Sequence, residues 1–589
     1  MVFPIQFTLF LRTVARIPLL VALFCTGLLA QNSAVSGAKE YERGLQAVDK
    51  GLLAQAQDDF QRAIAANPRN ADAQNALGQL LLQQGKIDAA IVHLRTVTRL
   101  KPNLAIGHLY LGQALSQKGT MDAAIAELRT TVRLAPQQSQ AHEALARALS
   151  SQSKIEDAIA EMTRAVELAP NQPELHDEAG SLHAQIKDYS TAETEFRAAL
   201  SLNPNYEPAL LHLGVALLEE GKTSEVKPVL ERASQIDPSD GLAHYYLGSV
   251  LETEQKADAA LKEYKEAAKL IPNFLPLHTR LGILAQRAGD IPTAIDSFRV
   301  VSAAQPNDPE PHSNLGLALM QSAQFEEAIA QFEVAIKLAP QDSSYRNNLG
   351  AVYLQKADFE AAIQQYKQGL TISPDNAELH YNLGLALKLK DDLAAATAEL
   401  QKSVSLNPTL PDPHYAMGII FWQSGKFDEA AKELNQVIRL KPDYAEAYYT
   451  LGTVYKQSGD LPGAAQALKK AIELQPDFAG AHTTLAAVLR QQGDNEAAAA
   501  ESKLGAEITQ QKMTLQAATF ATNSGIKLMN AGDLDGAIAQ FESAISHDAS
   551  YAPAHQQLAT ALERKGDKSR AHKEMETAQQ LLTKTTQSH

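Results

Sequence analysis

The chain has 589 residues, a formal net charge of -15 and only 6% aromatic residues. Because nucleic-acid binding requires a cationic surface, this acidity argues against a phosphate backbone as the partner. The single cysteine, Cys25, rules out an intramolecular disulfide. The abundance of Ala, Leu, Gln and Glu, without alternating Val/Ile-rich runs, predicts an all-helical fold.

The first thirty residues differ from the rest of the chain. They contain Arg12 and Arg16, no acidic residue, and a largely apolar stretch from Ile17 to Ala30. This arrangement predicts a secretory signal peptide at 1–30, followed by a linker at 31–36. The apolar stretch is shorter than the about 20 residues that a membrane span needs. We therefore expect export from a bacterial-type cytoplasm to the periplasm or the medium, with no membrane contact by the mature chain; a retained N-terminal anchor is the alternative.

Proline recurs at an interval of thirty-four residues along most of the chain. A fixed period of this size indicates that small supersecondary units are stacked into one array rather than folded into several globular domains. The thirteen prolines are Pro68, Pro102, Pro136, Pro170, Pro204, Pro238, Pro272, Pro306, Pro340, Pro374, Pro408, Pro442 and Pro476.

Residues 411–444 show what one repeat contains. When the repeat is numbered from 1 to 34, apolar residues recur at steps of three and four in two runs. Ser424, Gly425 and Lys426, at positions 14 to 16, separate the runs. This pattern predicts two helices joined by a turn. The proline at position 32 lacks an amide donor, so it should end the second helix.

Small residues occupy one position in each helix of the predicted hairpin. Position 8 is Gly in thirteen of sixteen repeats, and position 20 is Ala in fifteen. A glycine inside a helix costs about 1 kcal/mol relative to alanine, so its recurrence needs a compensating gain. We expect that gain to be a close approach of the two helices, with a large residue at position 24 filling the space around them.

This pattern resembles the tetratricopeptide repeat, a thirty-four-residue unit with small residues at positions 8, 20 and 27, large residues at 7 and 24, and proline at 32. The resemblance covers 37–512 as fourteen repeats, then 518–585 as two more with a C-terminal cap. It leaves a short insertion at 513–517 and a tail at 586–589. It implies a right-handed α-solenoid, or superhelix, of about 16 helical hairpins.

Two departures from the pattern lead to structural expectations. Position 32 is Gln510 at the end of repeat 14, so we expect the joint at 513–517 to be the loosest in the array. In repeat 6, Val226 replaces the small residue and Pro228 follows two positions later. Since proline removes an internal hydrogen bond, we expect the second helix there to begin late, near Ser224, or to kink.

Nearly every residue from 37 to 585 belongs to a predicted hairpin, so we expect no enzyme activity, catalytic residue or cofactor. Position 4 carries ten histidines, but neighbouring repeats should lie about 10 Å apart, whereas the ligands of one zinc ion each lie about 2 Å from it. We expect them to pack between helices with internal hydrogen bonds and to bind no metal. They are His108, His142, His176, His244, His278, His312, His380, His414, His482 and His555.

A binding surface is expected on the first helix of each repeat, where positions 2, 5, 6, 9, 12 and 13 share one face. In tetratricopeptide-repeat proteins this face lines the concave groove. Position 6 is Asn in repeats 9–11, and a row of amides can hold the backbone of an extended peptide. This row resembles the asparagine ladder in the repeat arrays of O-linked N-acetylglucosamine transferases, although this chain shows no catalytic domain.

Aromatic residues lie on the same face of the first helices. Position 5 is Tyr in repeats 11–13, which suits interface anchoring. The only tryptophan is at position 12 of repeat 12, with a lysine at the same position on either side. Equally, the asparagines could be ordinary polar residues on a solvated face, and the tyrosines could pack against neighbouring residues within the groove. We place the partner-binding groove in repeats 9–13, with the candidate residues Asn314, Asn348, Asn382, Tyr381, Tyr415, Tyr449, Trp422, Lys388 and Lys456.

These features predict a non-enzymatic scaffold that binds a protein partner, through a peptide segment or a helix, in its groove. Two alternatives stay open. One is an accessory subunit of a cell-envelope machine for polysaccharide export or pilus assembly. The other is a regulatory arm for a glycosyltransferase on another chain.

Overall fold

The computed structural model describes residues 37–587. The predicted signal peptide at 1–30 and the linker at 31–36 lie outside the described residues, as do the last two residues of the tail. Within 37–587 the chain forms 31 α-helices and no strand. The predicted all-α fold is confirmed.

The helices form two compact units, which meet in sequence between Ala304 and Gln305. The N-terminal unit contains the first eight hairpins. Its helices are α1 (Ala38–Asp49), α2 (Leu53–Ala66), α3 (Ala71–Gln83), α4 (Ile87–Leu100), α5 (Ala105–Gln117), α6 (Met121–Leu134), α7 (Ser139–Ser151), α8 (Ile155–Leu168), α9 (Pro173–Gln185), α10 (Tyr189–Leu202), α11 (Glu207–Glu219), α12 (Thr223–Ile236), α13 (Gly241–Thr253), α14 (Ala257–Leu270), α15 (Leu275–Arg287) and α16 (Ile291–Ala304).

The C-terminal unit contains the remaining hairpins. Its helices are α17 (Pro309–Gln321), α18 (Phe325–Leu338), α19 (Ser343–Gln355), α20 (Phe359–Ile372), α21 (Ala377–Leu389), α22 (Leu393–Leu406), α23 (Pro411–Gln423), α24 (Phe427–Leu440), α25 (Ala445–Ser458), α26 (Leu461–Leu474), α27 (Ala479–Gln491), α28 (Asn495–Asn530), α29 (Leu534–His547), α30 (Ala552–Lys565) and α31 (Lys568–Gln587).

The turn inside each hairpin requires a left-handed residue. Position 15 has a positive φ in all sixteen repeats, and ten of these residues are glycine. Glycine adopts this conformation without steric cost, whereas other residues are strained in it. The turn predicted at Ser424, Gly425 and Lys426 is confirmed, since Gly425 has a φ of 72° between α23 and α24.

The two helices of a hairpin approach closely at position 8, as predicted. A Cβ added to Gly384 would lie 2.8 Å from Cγ of Leu400, and one added to Gly452 would lie 2.6 Å from Cγ of Leu468. Both distances are well below the contact distance of carbon atoms. The position 24 side chain therefore fills the space that a side chain at position 8 would occupy. It is fully buried in each of repeats 9–13, as Phe332, Tyr366, Leu400, Leu434 and Leu468.

The joint after repeat 14 differs from the prediction. Residues 513–517 are helical and lie within the 36-residue α28, which is both the second helix of repeat 14 and the first helix of repeat 15. The expectation of a loose joint is wrong, because Gln510 has the amide that a proline lacks and the helix continues through it. Ala, Gln, Leu and Met, all good helix formers, are common from 510 to 518.

The expected late start of the second helix in repeat 6 is also wrong. α12 begins at Thr223, the usual position, and contains Pro228. Its first turn adapts instead, because the amide of Glu225 donates to the carbonyl of Lys222 at 3.0 Å. In repeat 7 the equivalent carbonyl, that of Lys256, accepts instead from the amide four residues later, that of Ala260, at 2.9 Å. A tighter first turn thus accompanies the proline.

No helix in the described part of the chain combines the length and the apolar character needed to cross a bilayer.

Candidate functional site

The first helices of repeats 9–13 form one continuous row within the C-terminal unit. These helices are α17, α19, α21, α23 and α25, and each packs against the next first helix in the row. Successive second helices make no comparable contact among the described residues. The first helices are therefore closer together, on the inner side of the local curvature. We call their shared inner face the candidate groove.

Hydrogen bonds between side chains tie adjacent first helices together inside the groove. Tyr415 Oη donates to Thr450 Oγ1 at 3.2 Å, since that hydroxyl itself donates to a backbone carbonyl. Trp422 Nε1 donates to Gln457 Oε1 at 2.8 Å. These bonds join position 5 to position 6, and position 12 to position 13, of the next repeat. Both bonds join α23 to α25.

The three predicted asparagines differ in their hydrogen bonding. Asn314 and Asn348 are partly exposed, and their amides bond to no other described residue. Asn382 Nδ2 instead donates to Asn347 Oδ1 at 2.8 Å, and Asn347 Nδ2 donates to Glu378 Oε1 at 2.9 Å. Two of the three amides are therefore available to a ligand, while the third belongs to a network within the groove.

The tyrosine row packs against aromatic residues at the ends of the repeats. The rings of Tyr415 and Tyr444 have centroids 5.2 Å apart, and those of Tyr449 and Phe478 are 4.8 Å apart. Burial, with the nearby charge of Asp412, raises the pKa of Tyr381 to about 12. The three tyrosines are only partly buried. They are thus held in place while part of each side chain faces solvent.

The two lysines of position 12 lie on either side of Trp422 in the row of repeats. Lys388 and Lys456 are both partly buried, and neither forms an ion pair with a described residue. Burial lowers the pKa of Lys388. A partly buried ammonium without a counter-ion is a costly arrangement that a bound carboxylate would relieve.

The sequence analysis missed an acidic rim along the other edge of the groove. Position 2 is acidic in four of the five repeats, and all four side chains are exposed. None pairs with a described lysine or arginine. Their spacing by multiples of thirty-four residues is the signal that could have revealed them. The acidic rim consists of Glu310, Glu378, Asp412 and Glu446.

The histidines of position 4 form hydrogen bonds with other residues of the repeats, as expected. In His482, Nδ1 lies 2.6 Å from Oε2 of Glu501, and Nε2 lies 2.9 Å from the carbonyl oxygen of Pro476 in the preceding repeat. Each such histidine therefore connects both helices of its own repeat with the end of the repeat before. Seven histidines make both contacts: His108, His142, His176, His244, His380, His482 and His555.

Across residues 37–587, no three His, Cys, Asp or Glu side chains converge as they would around an ion.

Models of known families match most of the chain. Tetratricopeptide-repeat models match residues 41–105, 79–139, 109–173 and 143–207, and a second such model matches 183–250. The C-terminal domain model of cilia and flagella-associated protein 70, itself a repeat model of this type, matches 277–518. The chain belongs to the tetratricopeptide-repeat family. The family assignment agrees with the helical hairpins of both compact units and makes a protein-interaction scaffold the general expectation.

Solved structures of the same kind are similar to parts or most of the chain. A crystal structure of MamA has 30% identity, covers 28% of this chain and 96% of its own, and gives a TM-score of 0.27. YrrB, described as a tetratricopeptide-repeat protein with an unusual peptide-binding site, has 26% identity over 32% of this chain and 97% of its own, with a TM-score of 0.27. Yeast Tom70 has 15% identity over 77% of this chain and 96% of its own, with a TM-score of 0.36. The comparison with curated proteins gives no match.

Proposed function

We propose that this tetratricopeptide-repeat protein is a non-enzymatic scaffold that holds an extended segment of a partner protein in the candidate groove of repeats 9–13. The observation that carries the proposal is the uncharged centre of the groove. Positions 5, 6 and 9 of these five repeats carry no charged residue and present amides, hydroxyls, aromatic rings and small aliphatic groups. Amides can bond a peptide backbone whatever its side chains, and tyrosines add rigid contact area.

The groove is well suited to binding because its side chains are already ordered. The bonds from Tyr415 to Thr450 and from Trp422 to Gln457 fix side chains that a partner would otherwise have to order. Prior order lowers the entropic cost of association. The free amides of Asn314 and Asn348 complete the surface with donors and acceptors that bond to no other described residue.

A pull-down with matched variants tests the proposal. The first variant carries Asn314, Asn348, Asn382, Tyr415 and Trp422 all as Ala. The control carries the exposed second-helix residues Lys432 and Lys469 as Ala. We expect the chain and the control to recover the same partners from an extract of the source organism, and the groove variant to lose them while keeping its helical circular dichroism spectrum. Equal recovery by all three proteins would refute the groove assignment.

Export is a second part of the proposal and rests on the sequence of residues 1–30, which lie outside the described residues. Two basic residues ahead of a short apolar stretch support a cleavable signal. Cell fractionation, with mass spectrometry of the N-terminus, tests this part separately. We expect a chain that has lost its first residues and lies outside the cytoplasm. A full-length cytoplasmic chain would contradict it.

A further inference from the structure

The charges of the candidate groove are separated between its two edges. Position 2 carries the acidic rim, and position 12 carries Lys388 and Lys456. The two positions are ten residues apart on one helix, which corresponds to about 15 Å. The central positions 5, 6 and 9 carry no charge in these five repeats. The groove is therefore acidic along one edge, neutral in the centre and basic along the other edge.

The charges on both edges lack counter-ions among the described residues. Lys388 and Lys456 form no ion pair with a described residue, and neither do the four carboxylates of the acidic rim. Lysines of the same repeats elsewhere do find partners, such as Lys356 with Glu326 at 2.9 Å. Charges left unpaired at one site favour a partner with the opposite charges, because complementarity raises both association rate and specificity.

The spacing of the two lysines sets the spacing of the partner's charges. They belong to repeats 11 and 13, and successive first helices stack at about 10 Å, so the lysines are separated by about 20 Å. An extended segment advances about 3.3 Å per residue, so about six residues cover that distance. Side chains in an extended chain alternate in direction, so residues i and i+6 point the same way. Residues between them at odd offsets point toward the acidic rim.

Building on the proposed function, we infer that the partner is an extended protein segment with acidic residues at i and i+6, which pair with Lys388 and Lys456, and with lysine or arginine at odd positions between them, which face the acidic rim. Its backbone and apolar groups contact the tyrosine row. Trp422 lies between the two ammonium groups, where it contacts the stretch that joins the two acidic residues.

Selection from a random peptide library tests this charge pattern. The probe is a displayed library of linear peptides about twelve residues long, selected on the whole mature chain. Three variants are used for selection in parallel. They are the double charge reversal K388E/K456E, the matched reversal K432E/K469E on exposed second-helix lysines, and the groove variant that carries five alanine substitutions. Both reversals change the net charge by the same amount, so general electrostatics cancels in their comparison.

We expect the chain and K432E/K469E to enrich the same peptides, with Asp or Glu at i and i+6 and a basic residue between them. K388E/K456E should bind those peptides at least about tenfold more weakly at low salt, since each contact becomes a repulsion. Peptides that need the groove but lack this pattern, or that bind K388E/K456E equally well, would overturn the inference and leave the proposed function standing. If no peptide is enriched, or if the groove variant with five alanine substitutions binds equally well, both the inference and the proposed function would be overturned.

Discussion

At the scale of single residues, conformational strain is concentrated at position 15 of the repeats. Six of the sixteen residues there are not glycine, yet all have a positive φ, including Ala323 at 58° and Ala357 at 63°. An L-residue in this conformation places its Cβ too close to the backbone. The sequence analysis predicted the turn from the glycines, but it could not show that alanine adopts the same strained conformation.

Replacement of Ala357 by glycine should stabilise the chain. The side chain is exposed and the residue is left-handed, so Ala357→Gly removes strain without removing a contact. We expect the free energy of unfolding, from urea denaturation, to rise by about 1 kcal/mol. The reverse change, Gly425→Ala, should lower it by a similar amount. A loss of stability in Ala357→Gly would show that the strain is absent.

A second prediction concerns the pair of His212 and Asp177. Nδ1 of His212 lies 2.8 Å from Oδ1 of Asp177. Burial lowers the pKa of His212, but the charge and hydrogen bond of Asp177, with Glu207 and Asp240, outweigh it, so the pKa is raised overall. A histidine whose pKa is raised in the folded chain contributes its full stabilisation when the pH is below its pKa in the unfolded chain, about 6.5. This stabilisation disappears as the pH rises through the pKa of the folded chain.

Asp177→Asn should therefore destabilise the chain most near pH 6. We expect the difference in urea midpoint between the chain and this variant to shrink steadily toward higher pH. Asp240→Asn is a useful comparison, since Asp240 contributes less to the shift. A difference that is independent of pH from 6 to 9 would mean that the proton on His212 does not stabilise the fold.

At the scale of helices and hairpins, the repeats are joined by the histidines of position 4. A protonated ring nitrogen donates to the carboxylate or carbonyl oxygen that it faces. Where position 23 is glutamine, as in the 2.7 Å contact from His312 to Gln331, an amide takes the place of the carboxylate. The spacing predicted internal hydrogen bonds for these histidines. It did not predict that one partner lies in the same repeat and the other in the preceding repeat.

This arrangement gives a prediction for Glu501. Removal of its carboxylate in Glu501→Ala leaves Nδ1 of the buried His482 without a partner, and we expect a loss of about 2 kcal/mol in the free energy of unfolding. Glu501→Gln should retain most of the stability, as the pair of His312 and Gln331 indicates. Equal losses in the two variants would show that the amide cannot replace the carboxylate. Urea denaturation of both variants provides the measurement.

Helix boundaries were predictable in most repeats from the proline at position 32 and the turn residue, and the prediction failed at two places. The thirty-four-residue period located nearly every helix, because proline at position 32 ends the second helix whatever the surroundings. It failed at Gln510, where the helix continues into α28, and at Pro228, where a change in first-turn bonding accompanies an unchanged start. Packing of the complete hairpin outweighed local propensity at Pro228.

At the scale of the whole molecule, the repeated hairpin makes a row of nearly equivalent positions on the first helices. Periodicity in the sequence predicted which positions share the groove, and the bonds from Tyr415 and Trp422 join two adjacent first helices there. It did not separate the free amides of Asn314 and Asn348 from the bonded amide of Asn382, because that difference depends on Asn347 in the neighbouring repeat. The bonds from Asn382, Tyr415 and Trp422 each join residues thirty-five apart in adjacent repeats, a pairing that no single repeat displays.

Hydrogen–deuterium exchange of the chain with and without an enriched peptide tests the central claim most directly. Binding in the groove should slow exchange in α17, α19, α21, α23 and α25, while α18, α20, α22 and α24 change little. The N-terminal unit, up to Ala304, should exchange as before. Protection confined to second helices, or to residues outside 309–478, would contradict the claim that the first helices of repeats 9–13 bind the partner.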